Sequence, residues 1–238
     1  MKKKILIIGA TSGIGRELAI AYATSGNVVG VTGRRTDLLK QLYGSFPQNI
    51  VYAEQDISGV KNKEIFNDII RRMAGLDILI ISSGVGFEND ELEWNLEKQT
   101  INVNVIGYSE IINLGYNHFW KQSFGHIIGI SSVAGIRGID SCPAYSASKA
   151  YISNYLEAIR KKAKKQRVKI LVTEIVPGFV DTEMAKGERL FWVAPVEKAA
   201  KQIMHAINNK VSVAYITRRW RLIALFLKFI PRAIYDRM

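Results

Sequence analysis

The chain has 238 residues, 48% apolar and 23% charged, with a formal net charge of +12. Such apolar content excludes a disordered chain, and the length suits one α/β domain with a large core rather than two. A single cysteine, Cys142, cannot close an internal disulfide, and His118, His126 and His205 are too scattered for ligand spacing, so a reducing compartment and no metal site are expected.

Taken in chain order, Met1-Lys2-Lys3-Lys4 imitates the start of a signal peptide. The apolar run behind it is short and leads straight into glycines, so it reads as a first strand at 4–8 in a cytoplasmic protein. Gly9-Ala10-Thr11-Ser12-Gly13-Ile14-Gly15 follows, then a helix over 13–25. Strand, glycine turn and helix in that order place a pyrophosphate against a helix N-terminus. Further strands are expected at 28–32, 50–54, 77–82, 126–131, 168–175 and 211–216. Helices are expected at 35–44, 61–74, 91–121, 143–166 and 195–208. Continuous apolar runs such as Ile127-Ile128-Gly129-Ile130 suit strands covered on both faces. The alternation predicts a single Rossmann-type doubly wound α/β domain, 1–216, around a seven-stranded, mostly parallel sheet. In that architecture ligands bind beyond the carboxyl ends of the strands, where the glycine turn, Ser82–Gly84, Ser132 and Pro177–Gly178 all fall.

Tyr145 and Lys149 stand four apart in Y-S-A-S-K, with Ser132 thirteen residues upstream. On a helix, a spacing of four puts phenol and ammonium on one face, where the charge should lower the tyrosine pKa and suit it to proton transfer. Ser132 would hold the reacting oxygen; Ser131 is its local rival. Dinucleotide folds carry a carboxylate about 20 residues past the glycines for NAD, or a cation there for NADP. Here Gly33 is followed by Arg34 and Arg35, and Thr11 and Ser12 could add hydroxyls, so NADP(H) is favoured over NAD(H).

The glycine turn and the Ser–Tyr–Lys set together resemble the short-chain dehydrogenases/reductases of the classical type, from Lys4 to about Val213. The resemblance implies cofactor contacts from Gly9, Thr11, Ser12, Gly13, Ile14, Gly15, Arg34, Arg35, Asp56, Ile57, Ser83 and Gly84. It adds Tyr145, Lys149, Pro177, Gly178, Val180 and Thr182. It also implies Ser132, Tyr145, Lys149 and Asn104 as catalytic residues, with Asp56 beside the adenine and Asn104 supporting a water. Two positions depart from the family pattern: Ile8 replaces a threonine, and Ile81-Ser82-Ser83-Gly84 replaces N-N-A-G. The implied reaction interconverts a carbonyl and an alcohol of a small molecule, within a homodimer or homotetramer. The apolar stretch at 183–193, with Met184, Leu190, Phe191 and Trp192, would be a substrate lid and suggests a lipophilic substrate. A non-catalytic dinucleotide sensor or scaffold of the same fold is the rival reading, and an epimerase or dehydratase relative a third.

The excess charge is localised. Residues 157–167 carry six basic side chains against Glu157, read as a solvated helix end; no nucleic-acid motif accompanies them. The extension 217–238 carries six more against Asp236, interleaved with Trp220, Leu222, Ile223, Leu225, Phe226, Leu227, Phe229 and Ile230. Its apolar core, Leu222 to Ile230, is too short to span a bilayer, which leaves two readings: a helix lying peripherally at an anionic membrane surface, or one covering the sheet edge or a subunit partner.

Overall fold

The computed structural model describes residues 2–184 and 191–237. Its centre is a seven-stranded sheet ordered β3-β2-β1-β4-β5-β6-β7. The strands are β1 (Lys4–Ile8), β2 (Val28–Gly33), β3 (Ile50–Glu54), β4 (Ile78–Ile81), β5 (Phe124–Ile130), β6 (Lys169–Pro177) and β7 (Val213–Ile216). Every pairing is parallel, β7 included, so the expected mostly parallel sheet is parallel throughout.

Period-two side-chain alternation divides the core. Ile5 and Ile7 face a layer built on α1 (Gly13–Thr24), α2 (Thr36–Ser45) and α7 (Val196–Asn208), where Leu18, Leu39 and Ile203 meet them. Leu6 and Ile8 face α3 (Asn62–Met73), α5 (Tyr108–Gln122) and α6 (Pro143–Lys165), through Phe66, Tyr108, Phe119 and Leu156. Both faces of β1 are therefore dry, and each of its four isoleucine and leucine side chains, at most 1% exposed, contributes about 2 kcal/mol relative to exposure.

β1 lies between β2 and β4, and the chain winds away from it in both directions. The crevice opens there, at the carboxyl ends of β1 and β4. The helix expected over 91–121 is a continuous helical run with a break in its hydrogen-bonding: α4 (Trp94–Ile101), a π segment (Asn102–Gly107), then α5. Gly107 is required there, because a Cβ would lie 2.1 Å from the Ile57 carbonyl oxygen. Short π segments of this kind recur at functional sites, and this one carries Asn104.

Beyond β7 the chain forms α8 (Trp220–Phe229) and α9 (Arg232–Tyr235). Trp220, 2% exposed, packs with Val133 and Val176, while Phe179, Tyr215 and Ile223 surround them.

Candidate active site

The glycine turn is fixed by contacts that tolerate no side chain. Gly9 has φ +86°, and a Cβ on it would sit 2.6 Å from the Ser83 nitrogen. The Ile8 carbonyl accepts hydrogen bonds from the N–H groups of both Ser82 and Ser83, at 2.8 and 2.9 Å. The two departures from the family pattern thus meet each other and close the turn through backbone. Helix α1 begins at Gly13, its N-cap Ser12 makes no side-chain cap bond, and its first turn holds no acidic residue. Its positive end faces the crevice without a counter-charge from its own first turn, which fits a pyrophosphate.

Arg35 lies across this turn. Its guanidinium donates to Ser12 Oγ at 2.6 Å and to Thr11 Oγ1 at 3.1 Å, and it forms an ion pair with Glu183 at 2.9 Å. Arg34 is instead the cation whose charge reaches Asp56. Burial tends to raise the Asp56 pKa, but hydrogen bonds from the Ser58 hydroxyl and N–H, with the Arg34 charge, outweigh it and hold the carboxyl below its ordinary value. The adjacent arginines expected from the sequence therefore divide: Arg35 lies over the glycine turn, and the Arg34 charge acts on the exposed Asp56. Ile57 is buried beneath, its carbonyl against Gly107.

Tyr145 and Lys149 share one face of α6. Lys149 is 5% exposed; its Nζ donates to the Ile130 carbonyl at 3.3 Å and lies 5.5 Å from the Tyr145 ring centroid. Burial pulls the lysine pKa down to about 8. The tyrosine departs from expectation. Burial raises its pKa above the ordinary value, a hydrogen bond from Ser132 lowers it only in part, and Cys142 adds a further upward push. The lowered phenol pKa expected from the four-residue spacing is thus corrected: loss of water dominates.

Ser131 is not interchangeable with Ser132. Its hydroxyl, 2% exposed, donates to Glu174 Oε1 at 2.7 Å, and the same carboxylate accepts a hydrogen bond from Ser153. Ser132 alone keeps its hydroxyl beside the phenol.

Asn104, fully buried, clamps the loop after β4. Its Oδ1 accepts from the Val85 N–H at 2.9 Å, and its Nδ2 donates to the Val85 carbonyl at 2.7 Å and to Ser148 Oγ at 2.9 Å. Sequence reasoning missed Val85 and Ser148, although Ser148 lies inside Y-S-A-S-K. It also missed Gly86, where a Cβ would lie 2.6 Å from the Tyr145 ring; the glycine pair at 84 and 86 was the available signal. Gly84 admits both Lys149 Nζ and Asn104 Oδ1, which a Cβ there would meet at 3.3 and 3.4 Å.

Pro177 ends β6, and the Gly178 N–H donates to the Ile216 carbonyl at 2.7 Å. Val180 is buried and bridges to Ala194, while Thr182 reaches back over Gly13, 3.0 Å from where a Cβ would stand. The expected lid residue Leu190 lies outside the described residues. Phe191 and Trp192 join Phe179 and Trp220 in an aromatic cluster with centroid separations of 5.2–6.3 Å. Trp220 lies against Gly178, where an added Cβ would fall 2.0 Å from its ring. Nothing in the linear sequence linked Trp220 to that glycine.

Known proteins with these features are numerous in kind. An uncharacterised oxidoreductase of Myxococcus xanthus is 34% identical over 185 residues, which cover 75% of this chain and 72% of that one. One from Mycobacterium tuberculosis is 29% identical over 221 residues, covering 88% and 86%. Among solved structures, a short-chain dehydrogenase/reductase from Burkholderia phymatum in complex with NAD superimposes with a TM-score of 0.84 at 17% identity, covering 94% of this chain and 92% of that one. ElxO with NADP bound gives 0.79 at 23%, covering 91% and 97%. A profile of the short chain dehydrogenase family matches residues 3–191, the span that holds the glycine turn, the Ser–Tyr–Lys set and Pro177–Gly178. The chain belongs to the short-chain dehydrogenase/reductase family of oxidoreductases.

Proposed function

We propose that the protein is an NADP(H)-dependent oxidoreductase that interconverts a carbonyl and an alcohol on a lipophilic small molecule. The observation that carries this reading is the meeting of the Tyr145 phenol, the Ser132 hydroxyl and the buried Lys149 beside Gly84 and Gly86, one loop away from the glycine turn. A nicotinamide bound there would supply hydride to a carbonyl carbon. Ser132 holds the carbonyl oxygen and Tyr145 gives it a proton, so that negative charge does not accumulate. A phenol kept protonated by burial is in the correct state for that step. Lys149 would supply positive charge beside the Tyr145 ring and help hold the nicotinamide ribose. Asn104 keeps the Val85 loop and Ser148 in place and supports the proton path behind Lys149.

NADP(H) preference rests on Arg35, held between Thr11 and Ser12 with no acidic residue at Gly33. It is in keeping with ElxO, a structural neighbour solved with NADP. The aromatic cluster of Phe179, Phe191, Trp192 and Trp220 supports a lipophilic substrate. Exposed Trp94, Ile106 and Tyr151, on α4, the π segment and α6, are suited to a homodimer or homotetramer contact. Among the described residues no helix is long and apolar enough to cross a membrane, and with a lone cysteine the cytoplasm is the proposed compartment.

The test is NADPH oxidation, followed by loss of the reduced-nicotinamide absorbance, over a panel of ketones, aldehydes and 3-oxo lipids. Tyr145→Phe should lose about 10²- to 10⁴-fold in turnover and keep NADPH affinity. Turnover that survives the substitution refutes the assigned acid. Tight NADPH binding without turnover on any substrate would favour the dinucleotide-sensor reading.

A further inference from the structure

Helix α8 carries two apolar stripes, and the described residues cover only one. Trp220, Ile223, Ala224 and Leu227 turn inward, with Trp220 and Ala224 at 2% and 3% exposure. Leu222, Leu225, Phe226 and Phe229 recur at the same helical spacing on the opposite side, 69%, 55%, 57% and 73% exposed. Inward packing accounts for the first stripe and gives no reason for the second. Four large apolar side chains side by side on a surface mark an interaction site.

The charges around the stripe select the partner. Arg218, Arg221, Lys228 and Arg232 are exposed on or beside α8. The carboxylate whose pKa feels Lys228 is Glu157 of α6, and Lys161 already bridges it at 3.0 Å. The segment from 217 to 238 has six cations against one acid, Asp236, in a chain of net charge +12. A second copy would bring the same positive face and be repelled, whereas a negatively charged surface is complementary. At ten residues the helix is too short to span a bilayer, so it would lie in the plane of the interface.

The helix is held rigidly for such docking. Arg137 donates to the carbonyls of Leu227 at 2.8 Å and Ile230 at 2.5 Å, and the Tyr235 hydroxyl donates to the Gly138 carbonyl at 2.7 Å. Next to its N-terminus, Arg219 donates to the Trp192 carbonyl at 2.9 Å and stacks on that ring at 4.9 Å. The half-exposed Phe191 and Trp192 pack against Trp220, at the inner stripe of the helix.

We propose that the outer face of α8 docks the protein peripherally on an anionic lipid bilayer, with Leu222, Leu225, Phe226 and Phe229 in the acyl boundary and the flanking cations on the headgroups. The site is independent of the proposed function; binding there requires no turnover.

The experiment is co-sedimentation of the full chain with vesicles of phosphatidylglycerol and phosphatidylcholine, against vesicles of phosphatidylcholine alone. The protein should partition onto the anionic vesicles, and added salt should release it. Phe226→Ser/Phe229→Ser should weaken partition at least tenfold. Arg221→Ser/Lys228→Ser should weaken it about 25-fold, at about fivefold per cation; it is independent of any folding defect in the aromatic variant. NADPH affinity should be unchanged in both, which separates this proposal from the cofactor assignment. Equal binding to the neutral and anionic vesicles overturns the proposal, as does an aromatic variant that binds like the parent. Variants that lower the sedimentation mass while leaving vesicle binding intact would assign the stripe to a second copy.

Discussion

Replacing Arg35 with leucine isolates the cofactor argument. The guanidinium is held at 2.6 Å from Ser12 Oγ and 3.1 Å from Thr11 Oγ1, and its side chain is 45% exposed. A charge pair about 4 Å apart contributes about 1 kcal/mol in bulk water and about 4 kcal/mol near a protein surface of lower effective dielectric. Half exposure puts Arg35 between these limits, at about 2–3 kcal/mol toward a 2′-phosphate. The competing ion pair with Glu183 is more exposed still and offsets less than about 1 kcal/mol. Arg35→Leu should therefore weaken NADPH about 30- to 150-fold and leave NADH within about threefold, since NADH has no phosphate there. Titration of reduced-nicotinamide fluorescence at constant ionic strength measures both constants. Arg34→Leu is the control and should change NADPH less than about threefold, because the hydrogen bonds to Thr11 and Ser12 come from Arg35, while the Arg34 charge acts on Asp56. Equal weakening of the two cofactors by Arg35→Leu, or a larger effect from Arg34→Leu, would refute the assignment.

Three other expectations come from particular contacts. Lys149 has a folded-state pKa of about 8 against an ordinary 10.5, so burying its charge opposes folding below pH 8, and stability should rise with pH between about 8 and 10.5 as the folded protein sheds its proton first. Lys149→Met should accordingly raise the thermal midpoint at neutral pH, by up to about 3 kcal/mol in stability, while turnover falls; a midpoint that drops would refute this. Glu183→Gln should tighten NADPH up to about fivefold by freeing the Arg35 guanidinium from a competing carboxylate, read in the same fluorescence titration; weaker binding would refute it. Gly178→Ala would put a methyl 2.0 Å from the Trp220 ring and should destabilise by about 1–3 kcal/mol, seen in thermal unfolding together with a shifted tryptophan emission. An unchanged midpoint and spectrum would show that the contact is looser than described.

What the sequence by itself determined was local or periodic. Continuous apolar runs placed all seven strands within a few residues, because a strand buried on both faces has to be apolar along its length. The glycine turn announced itself because no other residue survives where Gly9 has positive φ and lies against Ser83. The four-residue step from Tyr145 to Lys149 put both side chains on one helix face before any tertiary contact was known. Tertiary structure decided the rest. Desolvation is a property of everything packed around a group, so the direction of the Tyr145 shift was invisible to spacing and opposed it. Which of two adjacent arginines turns toward the glycine turn depends on partners 23 and 148 residues away in the chain, Ser12 and Glu183. The helix expected over 91–121 contains a π segment, and the Ile57 carbonyl, distant in sequence, lies where a Cβ on Gly107 would fall. The C-terminal segment read equally well as a membrane-surface helix or as one covering the sheet edge or a partner; the structure packs its Trp220 stripe, where Gly178 leaves room for the indole ring, and leaves Leu222, Leu225, Phe226 and Phe229 exposed.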